Sequence, residues 1–172
     1  MIFLTVGTQL PFDRLVRAVD KWCAEQGRND VFGQIATPGH NGYHPRHFEW
    51  APFLEPDRME TLFAEADLVV AHAGMGSIIT TLTLAKPVLI MPRRASYGEH
   101  RNDHQLATAE HLGKRSGIVV AQTETEISFK LDSLIKSVKQ TEVSQPAMYA
   151  DELLIDTLRS YIIDDAGMEI VK

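Results

Sequence analysis

Short, nearly continuous apolar runs alternate along the chain with helix-length segments whose apolar residues recur on one stripe. That alternation predicts a parallel sheet covered by helices on both faces. The first strand reads as Ile2–Val6, closed by Gly7-Thr8, and a helix follows from Phe12 to Gln26 with Leu15, Val16, Val19 and Trp22 on one face. Val31–Ile35 is the second strand, Ala36–His47 a loop rich in Gly, Pro, Asn and His, and His47–Trp50 the third strand. After a short helix at Asp57–Glu65, the buried strand Asp67–His72 runs into a tight turn, Ala73-Gly74-Met75-Gly76. A helix from Ser77 to Ala85 is stopped by Pro87, and Val88–Met91 is the next strand. A polar loop, Arg93–Arg101, leads to a helix over Asn102–Arg115, the strand Ile118–Val120 and a helix over Glu124–Lys139. Beyond a break at Ser144–Pro146, Met148–Ile163 reads as a last amphipathic helix. About six strands with intervening helices define an α/β, Rossmann-like, doubly wound parallel sheet. Residues 1–145 carry this domain, and 146–172 form a C-terminal helix and tail attached to it.

The length of 172 residues fits one such domain and excludes two. A single cysteine, Cys23, excludes an intrachain disulfide framework and a Cys-rich zinc site. No stretch approaches the roughly 20 apolar residues of a membrane span. The N-terminus has no basic region before its first apolar run, so it does not read as a signal peptide, and the expected compartment is the cytoplasm. A net charge of −6 argues against nucleic acid as a partner.

In doubly wound sheets, ligands sit beyond the carboxyl ends of the strands. Four segments there carry unusual chemistry. In His72-Ala73-Gly74-Met75-Gly76-Ser77, glycines between a strand and a helix let backbone N–H groups approach an anion at a helix N-terminus. The alternative is a simple tight turn with Ser77 capping the helix. Lys86 to Gln105 holds four Lys/Arg and two Asp/Glu, a local +2 that leaves −8 on the rest of the chain and would draw an anionic small molecule. Glu49–Leu54 places Trp50 and Phe53 either beside a planar base or in the core. His40, His44 and His47 have no fixed mutual geometry, and a metal is not expected there.

Taken together, Glu49–His111 resembles the nucleotide-sugar signature of the carboxyl-terminal, donor-binding half of glycosyltransferases with the GT-B architecture, and specifically of glycosyltransferase family 28. The resemblance rests on Trp50-Ala51-Pro52, on the strand ending in His72-x-Gly74-x-x-Ser77, on Lys86-Pro87 before a strand closed by Pro92, and on His104-Gln105. Gly7-Thr8 with Pro11-Phe12-Asp13-Arg14-Leu15, and Arg93-Arg94-Ala95 with Glu99–Gln105, are similar to the soluble catalytic subunits of two-component UDP-sugar transferases, both the dolichol-linked GlcNAc type and the bacterial exopolysaccharide type. It covers roughly residues 2–120.

The resemblance implies that Gly74, Met75, Gly76 and Ser77 hold the donor pyrophosphate with His72 contacting it. It implies that Phe53 and Leu54 border the uracil, that His104 and Gln105 contact the transferred sugar, and that Gly7 and Thr8 face the acceptor. Thr80 stands where many relatives carry a ribose-binding Glu, and Thr108 where many carry Asn. The implied reaction is inverting sugar transfer from a UDP-sugar to a lipid-linked acceptor, without metal or other cofactor. It takes place with a membrane-attached, acceptor-binding partner subunit at the inner face of the cytoplasmic membrane. The last helix is a candidate for docking that partner. Asp13 and the His40–His47 loop are unranked candidates for the general base. Glucuronic acid, galactose and GlcNAc remain open as sugars, with Arg93 and Arg94 leaning toward an acidic one. The competing functions are a non-catalytic nucleotide-sugar-binding module that regulates a partner, and a small enzyme acting on another phosphorylated metabolite.

Overall fold

The computed structural model describes residues 1–137 and residue 143. Six strands form one parallel sheet: β1 (Ile2–Thr5), β2 (Val31–Gln34), β3 (Glu49–Ala51), β4 (Leu68–His72), β5 (Val88–Met91) and β6 (Ile118–Val120). Their order is β3-β2-β1-β4-β5-β6. The chain therefore winds outward on one side from β1 and on the other from β4, and the reversal falls between these central strands. Their apolar runs are continuous because both faces are covered. In β1, Ile2 and Leu4 enter a core with helices α1 (Asp13–Gln26) and α5 (Ile127–Ser137), whereas Phe3 enters the opposite core with α2 (Pro56–Glu65), α3 (Met75–Thr83) and α4 (His104–Leu112). Trp22 of α1 is fully buried and donates its indole N–H to Asp132 of α5 at 2.9 Å, joining the two helices of one layer.

The predicted order of elements is the observed one; boundaries shift at several places, and three of the shifts have identifiable causes. Helix α3 begins at Met75, not Ser77, because Gly74 is extended (φ −90°, ψ 134°) and itself serves as the N-cap. The turn is thus shorter than expected, and Met75 and Gly76 belong to the first helical turn. Strand β3 starts at Glu49, because the His47 amide donates to the Asp20 carboxylate at 2.7 Å instead of to a ladder. Helix α4 covers only His104–Leu112, since Asp103 lies outside it as N-cap and accepts from the Ala95 amide at 2.8 Å. The expected helix Met148–Ile163 and the 145/146 boundary lie outside the described residues. No helix among the described residues is long and apolar enough to cross a membrane.

Candidate functional site

A cavity of about 500 Å³ opens at the carboxyl edge of the sheet, where the strand order reverses. The segment after β1 contributes Val6 to Leu10, and β4 with α3 contributes His72, Gly74, Gly76, Ser77 and Thr80. Arg93, His100, His104 and Gln105 close the side beyond β5, and Met59 and Phe63 of α2 supply apolar surface. Of the residues singled out in the sequence, Gly7, Thr8, His72, Gly74, Gly76, Ser77, Thr80, His104 and Gln105 therefore share one cavity.

The N-terminus of α3 is its polar centre. The helix has no side-chain N-cap hydrogen bond, so Ser77 is not a cap. The N–H groups of a first turn have no intrahelical partners, and they sum with the helix dipole to favour an anion. A Cβ added at Gly76 would meet nothing within 4 Å, so open space faces that first turn. At Gly74 a Cβ would overlap the His72 ring, and at Gly7 (φ +76°) it would lie 2.9 Å from His72 Cε1. The two glycines thus allow the imidazole to lodge between the ends of β1 and β4. Burial, followed by the nearby charges of Arg93, His100 and His104, pushes the His72 pKa down to about 4. At neutral pH His72 is an uncharged hydrogen-bonding group with a buried, unpartnered Nδ1.

The opposite wall is also histidine-rich. The His100 and His104 rings meet edge to face with centroids 4.6 Å apart, and His100 Nδ1 is buried without a partner. His104 Nδ1 is paired with Asn102. The Gln105 carbonyl oxygen accepts from the Arg93 amide at 3.1 Å, which leaves its amide N–H as the group it can offer a ligand. Among the described residues no Asp or Glu lines the cavity. No group of three or more His, Cys, Asp or Glu is placed to hold a metal ion, again among the described residues.

Several expectations are corrected by the geometry. Arg93 does not offer its N–H groups to an acidic sugar: it is buried, and its guanidinium donates to the carbonyls of Val6, Leu10, Pro11 and Glu99. Arg94 Nη2 donates to the Gln122 carbonyl at 3.1 Å. Glu99, one of the two acids of this stretch, is taken by Arg14 in a two-pronged pair at 2.7 Å on each prong. Phe53 and Met75 are 56% and 49% exposed and, like Leu54 of the α2–α4 core, fall outside the cavity lining, so their expected contacts with uracil and pyrophosphate would be made by backbone groups. Asp13 and the histidine loop lie elsewhere. Asp13 accepts from the Tyr43 amide at 2.9 Å. Asp20 collects the Tyr43 hydroxyl, the Arg46 and His47 amides and the His47 ring. Burial pushes the Asp20 pKa up, but these hydrogen bonds outweigh it and hold the carboxyl below its ordinary value. This loop is fastened to α1, and none of its residues lines the cavity.

Two buried polar residues escaped the sequence reading. Thr5 Oγ1 donates to Gln34 Oε1 at 2.8 Å and accepts from the Gly7 amide at 3.2 Å. Gln34 Nε2 donates to the carbonyls of Gly7 and Pro52 at 3.0 and 3.1 Å, tying together the segments after β1 and β3. Their signal was present: a polar residue at the carboxyl end of an otherwise apolar strand.

The sequence profile described as glycosyltransferase family 28 C-terminal domain matches residues 1–154. The chain belongs to this family. Among curated relatives of this family 28 domain, the UDP-N-acetylglucosamine transferase subunit ALG13 of Debaryomyces hansenii is 36% identical over 80 residues, covering 46% of this chain and 35% of the relative. The UDP-N-acetylglucosamine–N-acetylmuramyl-(pentapeptide) pyrophosphoryl-undecaprenol N-acetylglucosamine transferase of Flavobacterium psychrophilum is 28% identical over 93 residues, covering 52% of this chain and 24% of the relative. The domain thus spans only about a quarter to a third of these relatives. The crystal structure of Acinetobacter baumannii MurG superimposes with a TM-score of 0.60 at 18% identity, covering 92% of this chain and 49% of that one, a likeness of fold.

Proposed function

We propose that this family 28 domain is the donor-binding half of a UDP-sugar glycosyltransferase that transfers its sugar with inversion to a lipid-linked acceptor. The observation that carries the reading is the cavity at the strand-order reversal: an uncapped α3 N-terminus, a neutral, half-buried His72 beside it, and no carboxylate among the described lining residues. Such a lining suits a diphosphate and repels nothing anionic. In the reaction the acceptor hydroxyl attacks the sugar C1, the bond from C1 to the β-phosphate oxygen breaks, and UDP departs with the electron pair. Negative charge then grows on the β-phosphate, where the N–H groups of Met75, Gly76 and Ser77 and the His72 ring are already oriented. Thr80, in the cavity lining, would meet a ribose hydroxyl. His104 and Gln105 face the sugar, and Gly7 and Thr8 the acceptor.

The acceptor proton needs a base. With Asp13 and the histidine loop outside the cavity, the base is assigned to a membrane-attached, acceptor-binding partner subunit, which would recruit this chain from the cytoplasm to the inner membrane face. That the relatives are UDP-N-acetylglucosamine transferases makes UDP-N-acetylglucosamine the first donor to test. Calorimetry should show this chain binding UDP and UDP-N-acetylglucosamine without added metal, and absence of both refutes the donor reading. Transfer of labelled sugar by partner membranes alone, unaffected by adding this chain, would favour a non-catalytic regulatory module instead.

A further inference from the structure

We propose that Arg93 is the positioning residue that makes the segment after β1 a fixed, acceptor-side wall of the cleft, and that its charge also serves the bound anion. The acceptor-side label and the second half rest on the proposed function, whereas the fixing of the segment does not. Among the described residues, no backbone–backbone hydrogen bond involves residues 8 to 11, although Thr8, Gln9 and Leu10 all line the cavity. Side chains must therefore hold this segment in place. Gln34 does so from the β2 side through the Gly7 carbonyl. From the β5 side the work falls to Arg93, which is 3% exposed. Its Nη2 donates to Val6 O at 2.9 Å and Leu10 O at 2.6 Å, and its Nη1 to Pro11 O at 2.7 Å and Glu99 O at 3.3 Å. Three of the four acceptors belong to the segment being held. The Phe12 ring packs against the guanidinium, 4.7 Å from its centroid to Cζ.

The charge on this fork has no ion-pair partner among the described residues, because the Glu99 carboxylate is occupied by Arg14 and by the Arg94 amide. Burial lowers the Arg93 pKa to about 10 against the opposing pull of the Glu99 charge, so it remains a cation at neutral pH whose hydrogen bonds all go to carbonyls. It lies against a cavity lined by no described carboxylate, where it adds to the field felt by a ligand's phosphates. A lysine would keep this charge but not the flat two-nitrogen fork that reaches four carbonyls.

The test compares the full wild-type chain with Arg93→Lys and Arg93→Met, using backbone relaxation, UDP calorimetry and ring titration of His72 by NMR. In the wild type, order parameters at Thr8, Gln9 and Leu10 should be near about 0.85, and in both variants below about 0.6. UDP affinity should stay within about threefold in Arg93→Lys and fall about tenfold or more in Arg93→Met. The His72 pKa should rise in Arg93→Met and not in Arg93→Lys, a response that loss of packing alone does not produce. A segment that stays rigid in both variants overturns the positioning role. So does collapse of spectral dispersion across the whole sheet in both, which would make Arg93 a general fold residue. Equal UDP affinity in all three chains overturns the charge role. A wild type that binds no UDP refutes the donor reading, while the relaxation data still judge the wall.

Discussion

Gly76 gives the sharpest separation of ligand binding from folding. Its position is the second of helix α3, and a Cβ there meets nothing within 4 Å. In the unliganded protein Gly76→Ala should therefore be tolerated. Alanine is favoured over glycine in a helix interior by up to about 1 kcal/mol, so stability should hold or rise slightly, by about 2–4 °C in melting temperature for a domain of this size. Binding should respond in the opposite direction. The added methyl occupies the space through which a phosphate oxygen reaches the first-turn N–H groups. Losing two hydrogen bonds to a charged oxygen, at about 1.5–3 kcal/mol each, weakens UDP by at least about 150-fold. Gly74→Ala is the contrasting variant. There the Cβ overlaps the His72 ring, and the forced movement should cost about 1–3 kcal/mol of stability even without ligand. Thermal melts and UDP calorimetry on both variants read the two effects separately. A Gly76→Ala protein that binds UDP within about threefold of wild type would refute placement of the diphosphate on α3.

Acid should expose His72. Its pKa is about 4 in the folded chain against an ordinary 6.5, so between these values the unfolded chain binds the extra proton. The associated stability is complete above about pH 6.5 and is lost as pH falls toward 4, on the order of 3 kcal/mol at most. In denaturant titrations across that range, His72→Gln should flatten this part of the decline; an unchanged slope refutes the buried neutral imidazole. Gln34→Leu preserves volume but strands the Thr5 hydroxyl and the Gly7 and Pro52 carbonyls. It should cost about 2–4 kcal/mol by urea unfolding, and a loss under about 1 kcal/mol would show that water replaces the network.

The strands were legible because each buried run is apolar on both faces, and periodicity reads that directly. The glycines were legible too, since a strand that ends in His72 and Gly74 before a helix needs small residues whatever else surrounds it. Arg93 was not. Counting charge over Lys86–Gln105 suggested a cationic loop open to ligand, but whether a guanidinium faces solvent or four carbonyls depends on a segment some 85 residues away in the chain. The surroundings of the Phe53 ring were not legible either, for a related reason. An aromatic residue after a strand marks either core or cleft, and here it marks neither, standing 56% exposed beyond the Pro52 carbonyl that Gln34 holds. The histidine loop looked like chemistry because its partner, Asp20, lies buried on α1 and reads in sequence as one more polar helix residue.

The lining without a described carboxylate bears on the rhythm of turnover as well as on recognition. Donors fixed on a helix end and on strand termini are in place before a ligand arrives, and on the proposed donor reading they would grip the diphosphate of spent UDP much as that of the intact donor. Affinity common to substrate and product does nothing to lower the chemical barrier. It prolongs the stay of the product. On this reading departure of UDP, and not bond breaking, sets the pace, and a burst of transferred sugar in the first cycle, followed by a slower steady state relieved by enzymatic removal of UDP, is the kinetic trace to look for. A linear first cycle with no such relief would mean that the grip loosens once the sugar has gone.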